Sequence, residues 1–188
     1  MSWKVRLEAA CFSTQQFPSE GGVPFVPEVA VAGRSNVGKS SLINAVLGAR
    51  LAHVGATPGK TRSVNFYSVE AGDGTTFRLV DLPGYGYAER SKAERRDWSR
   101  LTTSYVEKRK SLVLVCHLVD FRHGLLAKDQ VLQGWLSERN RPVFVVFTKA
   151  DKVAKSKRRA ALQQYVRGGF LSIDVPLVTS AEEPSNVL

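Results

Sequence analysis

Residues 33–40 read GRSNVGKS and stand between a short apolar run and an amphipathic stretch. They match the pattern G-x-x-x-x-G-K-[ST], a glycine-rich loop that surrounds nucleotide phosphates with backbone N–H groups. The apolar run Val29–Ala32 is typical of a buried parallel strand, and Ser41–Leu47 carries apolar residues at helical spacing. A strand, a tight turn and a helix in this order predict an α/β fold of the phosphate-loop (P-loop) NTPase type, with a mostly parallel sheet.

Each position of this phosphate loop has an expected role in holding a triphosphate. Gly33 and Gly38 allow backbone conformations that a Cβ would block, so that loop N–H groups turn toward the phosphates at the positive end of the helix. Lys39 is expected to place a positive charge on the β- and γ-phosphates, and Ser40 a hydroxyl on Mg²⁺. Further nucleotide contacts are expected from Arg34, Ser35, Asn36, Val37 and Ser41.

Strand and helix patterns alternate along the chain and predict one three-layer α/β domain over residues 1–188. Residues 1–27 are expected to form an N-terminal strand or arm and a connector, and residues 28–181 carry the motifs. The turn sequence Ala71–Gly74 predicts a hairpin and hence one antiparallel strand. Other predicted elements are helices over 91–109, 127–138 and 155–167 and strands over 112–120, 142–148 and 175–179. His117, in an apolar strand, is expected in the core.

The chain is strongly basic, with 27 lysines and arginines against 17 aspartates and glutamates and a net charge of +10. This excess favours a polyanionic partner in addition to one nucleotide. Basic residues cluster in residues 90–100, 108–110 and 152–159, and together these clusters predict a surface that faces RNA.

No apolar run approaches the roughly 20 residues that cross a bilayer. The N-terminus has neither the apolar region of a signal peptide nor a serine-rich transit pattern. We therefore expect a cytoplasmic protein that does not associate with membranes, and a cleaved organellar presequence remains open. Separately, we expect a monomer.

The segment Asp81–Gly84 ends the second strand of the hairpin. Asp81 is placed to hold Mg²⁺ through water, and the Gly84 N–H is expected to reach the γ-phosphate, with Leu82 and Pro83 beside them. Loss of that phosphate would release the segment, which predicts a switch. The glycines and tyrosines that follow, Gly86 among them, are typical of a mobile loop.

The segment Thr148-Lys149-Ala150-Asp151 closes an apolar strand and has the chemistry to read a base. Guanine presents N1–H and its N2 amino group as adjacent donors, and an ionised carboxylate accepts both. Adenine lacks this donor pair, so Asp151 predicts guanine. The stem of Lys149 is expected along the base plane, and Thr148 stands where asparagine is usual and reaches less far.

Two more segments complete the expected site. Thr179-Ser180-Ala181 follows the last predicted strand and resembles the loop whose backbone N–H reads guanine O6. Residues 57–62 read TPGKTR, and a threonine there would complete the Mg²⁺ shell and sense the γ-phosphate. Thr61 is the first choice and Thr57 the alternative. Contacts from Gly59, Lys60, Arg62 and Ser63 are expected beside it, and Lys39, Thr61 and Gly84 form the expected catalytic set.

Taken together, GRSNVGKSSLIN, TPGKTRSVNFY, DLPGYGYA, TKAD and TSA resemble the EngB (YihA-like) family of bacterial GTPases, with a TrmE/Era-like G domain. The resemblance runs from about Pro27 to Ala181. It implies Mg²⁺-dependent GTP hydrolysis coupled to assembly of the large ribosomal subunit, and through this a link to septation and cell division. The basic surface would then contact ribosomal RNA.

The resemblance also implies a helix after the last loop. The sequence ends at Leu188 and has Glu182-Glu183-Pro184-Ser185 where a turn with lysine or glycine is expected. We therefore expect that C-terminal helix to be missing or truncated.

Two residues bear on the rate of hydrolysis. Tyr85 stands where Ras-type enzymes orient the attacking water with a glutamine, so we predict intrinsic turnover on the order of 10⁻⁴–10⁻³ s⁻¹ or slightly above, and stimulation by a partner or an ion. Asn36 indicates K⁺, because related GTPases with asparagine here use K⁺ near the phosphates in place of an arginine finger. The alternative is that Asn36 only stabilises the loop.

Other functions remain open at this point. A P-loop kinase or ATPase would bind ATP tightly without Asp151. The G domain of a membrane transporter would continue into a longer chain with membrane spans. A GTP-gated RNA- or ribosome-binding module with negligible turnover would not be accelerated by ribosomes.

Overall fold

The computed structural model describes residues 3–20, 25–48, 50–52, 63–85, 92–180 and 182, and the side chains of all of these except 92–99. Within these residues, seven strands form one sheet in the order β1-β3-β4-β2-β5-β6-β7. The strands are β1 (Lys4–Cys11), β2 (Glu28–Gly33), β3 (Val64–Glu70), β4 (Thr76–Asp81), β5 (Leu112–Asp120), β6 (Val143–Thr148) and β7 (Leu177–Val178). The helices are α1 (Lys39–Leu47), α2 (Lys92–Lys108), α3 (Ala127–Ser137) and α4 (Lys155–Gly168).

Within this sheet, β3 is the strand that runs against all the others. It pairs antiparallel with β1 on one side and β4 on the other, whereas the pairings of β2 with β4 and β5, and those of β6, are parallel. The hairpin between β3 and β4 turns at Gly74, whose φ of +83° lies in the left-handed region that favours glycine. The predicted mostly parallel sheet with one antiparallel strand is therefore confirmed, and the N-terminal segment adds β1 to its edge.

Alternate residues of the central strands face two separate cores, which gives three layers. Ala30 and Ala32 of β2 face one core, and Val31 between them faces the other. The first core includes Tyr105 of α2, Leu136 of α3 and Leu162 of α4, and the second includes Ile43 and Leu47 of α1. The sheet thus lies between α1 on one face and the other three helices on the opposite face.

Most predicted elements agree with the structure within one residue at each end, and two differences have a local cause. Helix α1 begins at Lys39 rather than Ser41, because Gly38 takes a left-handed φ of 104° and turns the chain directly into the helix. Strand β7 begins at Leu177 rather than residue 175, because Pro176 has no N–H to donate to a strand ladder.

The amino end of β2 carries a buried ion cluster, at the end of the strand opposite to the phosphate loop. Glu28 is fully buried and accepts hydrogen bonds from Nη2 of Arg109 at 2.7 Å and from the hydroxyl of Tyr105 at 3.1 Å. Nη1 of Arg78 lies 3.4 Å from the same carboxylate. This cluster joins β2 to α2 and the residues just after it. Arg109 is therefore not part of an RNA-facing surface, contrary to its place in the predicted cluster 108–110.

Candidate nucleotide-binding site

The phosphate loop leaves β2 at a glycine that packing requires. A Cβ on Gly33 would lie 2.8 Å from Cγ1 of Val37 and 3.1 Å from the carbonyl oxygen of Leu118. The first distance is shorter than Cβ contacts in proteins, and the second is against backbone that cannot move aside cheaply. A glycine at this position therefore lets the loop close on itself at the carboxyl end of β2.

The turn of the loop depends on two residues with positive φ. Gly38 has φ of 104° and Asn36 has φ of 63°. Asparagine is one of the few residues with a side chain that tolerates the left-handed region. This conformation is a structural reason for Asn36 in the loop, independent of any ion. The expectation that Asn36 assists binding of K⁺ stays a prediction.

Lys39 and Asp81 form a buried ion pair between the loop and β4. Nζ of Lys39 lies 2.9 Å from Oδ1 of Asp81, and their side chains are 8% and 2% exposed. Burial raises the pKa of Asp81, and the Lys39 ammonium opposes that shift. The pair stands beside Ser40, the second residue of α1. A carboxylate and a hydroxyl are hard oxygen donors of the kind Mg²⁺ prefers, so these residues fit the expected metal.

The Asp81–Gly84 segment is packed directly on the phosphate loop. The N–H of Tyr85 donates to the carbonyl of Gly33 at 3.2 Å, and the N–H of Ser35 donates to the carbonyl of Tyr85 at 2.9 Å. A Cβ on Gly84 would lie 3.1 Å from the Cα, N and Oγ of Ser35. These contacts bring Gly84 next to the loop, as its expected role at the γ-phosphate requires.

The side chain of Tyr85 points into the protein. Its hydroxyl lies 2.7 Å from Nε2 of His117 and donates to Oδ1 of Asp129 at 2.6 Å. Burial, and then the hydrogen bond to Asp129, raise the pKa of Tyr85. His117 is fully buried and hydrogen-bonded, as expected of a core histidine. The sequence around the tyrosines is typical of a mobile loop. At Tyr85 the structure instead shows an anchored side chain, because its hydroxyl is hydrogen-bonded to two buried residues. Gly86 lies outside the described residues.

The segment around Asp151 meets the loop around Ser180 at the predicted base site. The Ser180 hydroxyl donates to Oδ1 of Asp151, and Nζ of Lys152 lies 3.0 Å from Oδ2. The backbone N–H of Ala150 donates to the carbonyl of Thr179 at 3.2 Å. Burial alone would raise the pKa of Asp151, but the hydrogen bonds from Ser180 and Lys152 outweigh it and lower the pKa. Asp151 thus stays an ionised acceptor, the form that reads the two guanine donors.

Thr148 and Lys149 connect the predicted base-reading segment to the phosphate loop. The Thr148 hydroxyl donates to the carbonyl of Val37 at 2.6 Å, and the Lys149 ammonium donates to the carbonyl of Asn36. Thr148 stands where asparagine is usual and was expected to reach less far. Its hydroxyl nevertheless reaches the carbonyl of Val37 in the phosphate loop.

Asp120 is a site residue that the sequence reasoning missed. Its Oδ2 lies 3.2 Å from Nζ of Lys149, and Arg122 holds both of its oxygens. Burial raises the pKa of Asp120, but the hydrogen bonds from Arg122 and the Lys149 charge outweigh it and lower the pKa to about 2. The available signal was position, because Asp120 ends β5 opposite Thr148 of β6, and the carboxyl ends of parallel strands share one edge of a sheet.

Some of the expected site residues cannot be compared with the structure. Thr57, Gly59, Lys60, Thr61, Arg62 and Ala181 lie outside the described residues. Ser63 is described, and its buried hydroxyl donates to Oδ1 of Asn65 at 2.8 Å rather than standing open. Over the described part of the chain, no three or more His, Cys, Asp or Glu side chains group to hold a metal. Mg²⁺ in NTPases needs few protein ligands, because phosphate oxygens and water supply the rest.

The fold and this arrangement of loops define a GTPase domain of the phosphate-loop class. Residues 28–149 match the family model described as "50S ribosome-binding GTPase". A probable GTP-binding protein EngB from Caldanaerobacter subterraneus is 40% identical over 95% of this chain and 88% of its own length. The EngB protein of Thermotoga maritima is 46% identical over 79% of this chain and 74% of its own length. The chain belongs to the EngB family of GTP-binding proteins and is a GTPase.

Solved structures show the same fold. A variant of Aquifex aeolicus Era bound to GDP.AlF4- superposes with a TM-score of 0.73 at 22% identity, and the match covers 86% of this chain and 53% of the Era chain. Another Era structure, with similar scores, is a complex with MgGDPNP and nucleotides of 16S ribosomal RNA. A probable EngB crystal structure has a TM-score of 0.64 at 22% identity, over 85% of this chain and 92% of that chain. This chain thus spans about half the length of Era.

Proposed function

We propose that this GTPase is a switch that acts in assembly of the large ribosomal subunit, in the cytoplasm and as a monomer, with its effect on septation and cell division following from that role. The family model, described as that of a 50S ribosome-binding GTPase, supports the partner. The observation that carries the proposal is a basic helix, α4, that follows directly on the base-reading segment. Within the described residues, no helix is long and apolar enough to span a membrane.

The α4 basic surface consists of the exposed side chains of Lys152, just before the helix, and of Lys155, Lys157 and Arg159 in its first two turns. Helix α4 has no acidic residue to balance them. Arg158, expected in the same cluster, is buried instead, with its Nε donating to the carbonyl of Val153 at 2.9 Å. Exposed lysine and arginine side chains gathered around the first turns of one helix suit contact with the phosphates of RNA, which fix position without reading sequence.

The chemistry of the switch follows from the residues around the phosphate loop. Ser40 and Asp81, together with Thr61, would hold Mg²⁺, which neutralises charge on the β- and γ-phosphate oxygens. Lys39 adds positive charge at the same oxygens. The Gly84 N–H binds the γ-phosphate, so hydrolysis removes the contact between this segment and the nucleotide.

Slow intrinsic hydrolysis, on the order of 10⁻⁴–10⁻³ s⁻¹, is expected because the Tyr85 side chain points away from the phosphates and has no amide to orient water. We propose K⁺, assisted by Asn36, as an activator. If replacing K⁺ with Na⁺ leaves the rate unchanged with and without ribosomes, this part of the proposal is wrong.

Co-sedimentation with large ribosomal subunits tests the main proposal. Binding should differ between GTP, GDP and a non-hydrolysable GTP analogue, and equal or absent binding in all three states would contradict it. Single-turnover hydrolysis with subunits present then separates a stimulated enzyme from a GTP-gated binding module, which would show no acceleration.

A charge variant tests the α4 basic surface. Replacing Lys155, Lys157 and Arg159 by glutamine should weaken binding to the large subunit. The magnitude of the slope of log K against log salt concentration should fall by about two to three, because three phosphate contacts are lost. The matched control replaces Lys4 and Arg6 of β1 and Arg50, three exposed basic residues outside the predicted clusters, by glutamine. An equal effect of both variants would show that total charge, and not this surface, determines binding.

A further inference from the structure

A buried chain of hydrogen bonds passes through the side chain of Tyr85, the residue that follows Gly84. Its members are Tyr85, His117 of β5, and Asp129 and Gln133 of α3, and the last three are at most 4% exposed. No nucleotide contact is expected from His117, Asp129 or Gln133, so the nucleotide-binding role of the site does not explain why these polar groups are placed together.

The direction of each hydrogen bond follows from Gln133. The N–H of Leu171 donates to Oε1 of Gln133 at 2.9 Å, and Nε2 of Gln133 donates to the carbonyl of Leu171 at 3.1 Å, which fixes the orientation of the amide. Nε2 of Gln133 also lies 3.3 Å from Nδ1 of His117. Because an amide nitrogen can only donate, Nδ1 accepts, and the imidazole proton is on Nε2.

The rest of the chain then has one consistent direction. Nε2–H of His117 donates to the Tyr85 hydroxyl over 2.7 Å, and that hydroxyl donates to Oδ1 of Asp129 over 2.6 Å. The other oxygen of Asp129 accepts the N–H of Leu126 at 2.8 Å, at the start of α3. Each hydrogen-bonding group of Tyr85 and His117 thus has a partner of the right kind. A satisfied buried network of this type rigidifies the groups it joins.

This network fixes the backbone on which the switch glycine depends. Tyr85 is bonded on both sides of its peptide to the phosphate loop, through its N–H to Gly33 and through its carbonyl to Ser35. Its side chain is anchored to β5 and α3 by the hydrogen bonds above. The orientation of the adjacent Gly84 N–H is therefore set by a side chain that points away from the nucleotide.

We propose that Tyr85 is a positioning residue for GTP hydrolysis, which acts through the buried His117–Asp129 pair to hold the Gly84 N–H in place for the γ-phosphate. This inference rests on the proposed role of Gly84. A glutamine in the same position would orient the attacking water. Tyr85 instead positions the backbone of Gly84, and it does so through the hydrogen bonds of its hydroxyl.

The test is Tyr85→Phe, which removes one oxygen and keeps the ring. The variant should lower kcat for GTP about tenfold while the affinity for GDP changes by less than twofold, because GDP has no γ-phosphate for Gly84 to bind. Hydrogen exchange at the Tyr85 and Ser35 amides should accelerate in the same variant. Unchanged kcat and unchanged exchange would overturn the proposal.

The matched control is Tyr105→Phe, which also removes a tyrosine hydroxyl that donates to a buried carboxylate. That hydroxyl lies 3.1 Å from Glu28, in the ion cluster at the other end of β2. It should reduce stability without changing kcat, and an equal loss of kcat in both variants would mean that only general destabilisation is measured. If the wild-type protein fails to hydrolyse GTP with or without ribosomes, the proposed function has failed rather than this inference.

A second measurement needs no variant and covers the case in which Tyr85→Phe does not fold. The ¹⁵N chemical shifts of the His117 imidazole in the wild-type protein should identify a neutral ring with its proton on Nε2. A proton on Nδ1, or on both nitrogens near neutral pH, would break the directed chain and overturn the proposal.

Discussion

The hydroxyl of Ser180 donates a hydrogen bond to the carboxylate of Asp151, across 29 residues of sequence. With Lys152 on the other oxygen, the contact keeps Asp151 ionised and fixes where its oxygens point. An ionised carboxylate accepts from both N1–H and N2 of guanine, and this pairing is the basis of the first prediction.

Asp151→Asn should reduce GTP affinity at least a hundredfold, because a carboxamide can accept only one of the two guanine donors and leaves the other facing an N–H. Xanthosine triphosphate, which has a carbonyl in place of the N2 amino group, should bind the variant better than GTP does. Competition binding with GTP, ATP and xanthosine triphosphate measures both effects. Tight ATP binding that Asp151→Asn leaves unaltered would instead indicate an ATPase or kinase.

Thr148→Ala should destabilise the protein by about 1–2 kcal/mol and weaken GTP binding, because the buried carbonyl of Val37 loses its donor at 2.6 Å. Thr148→Ser keeps the hydroxyl and should retain most of both properties. Urea unfolding and nucleotide titration of the two variants give the comparison. Equal losses in both would assign the effect to the methyl group and its packing.

Gly84→Ala should slow GTP hydrolysis about tenfold or more, because the added Cβ would meet the backbone of Ser35 at 3.1 Å and push the two loops apart. Gly134→Ala serves as the control, since a Cβ there has no atom within 4 Å and lies inside α3. That control should raise stability by about 0.5–1 kcal/mol and leave the rate unchanged.

Glu28→Gln should cost about 3 kcal/mol of stability, because it removes the charge that compensates the buried Arg109 guanidinium. GTP affinity of the folded protein should not change, since the cluster lies at the opposite end of β2 from the phosphate loop. Glu70→Gln breaks the exposed pair with Lys4, whose side chain is 81% exposed, and should cost less than about 1 kcal/mol. Similar losses in the two variants would contradict the account of the buried cluster.

Arg122→Gln should raise the pKa of Asp120 from about 2 toward its ordinary value of 3.8, as carboxyl NMR titration would show. Because the folded pKa is lowered, the stabilisation from this group is present above about pH 4 and is lost as the pH falls from about 4 to 2. The variant should therefore be less stable than the wild type at pH 6, by at most about 1 kcal/mol, and the difference should disappear near pH 2. A constant difference at all pH values would show that the charge of Asp120 is not involved.

The features that the sequence predicts best are those determined by residues close to one another in the chain. The phosphate loop is such a case, because Gly33, Gly38 and Lys39 lie within seven residues of each other and their spacing alone identifies the turn. The bounds of strands and helices were also predicted closely, because the spacing of apolar residues along the chain shows where an element with one buried face begins and ends.

The remaining features depend on pairings that no local pattern encodes. Tyr85 meets His117 and Asp129 across 32 and 44 residues of sequence, and a tyrosine after a glycine gives no sign of an inward side chain. Arg109 and Arg158 appeared as surface charge in basic runs, yet both are buried. Arg109 pairs with Glu28 of β2, and Arg158 donates to the carbonyl of Val153, just before its own helix. Asp120 required the order of β5 and β6 in the sheet, which is a property of the whole fold.

The hydrogen bonds from Thr148 and Lys149 to the carbonyls of Val37 and Asn36 also bear on how a nucleotide leaves. They join the predicted phosphate-binding loop to the predicted base-binding segment, so we expect the two to move together rather than one at a time. We therefore expect GDP to leave in a single step, and a factor that speeds exchange would need to act only where Thr148 and Lys149 contact the phosphate loop.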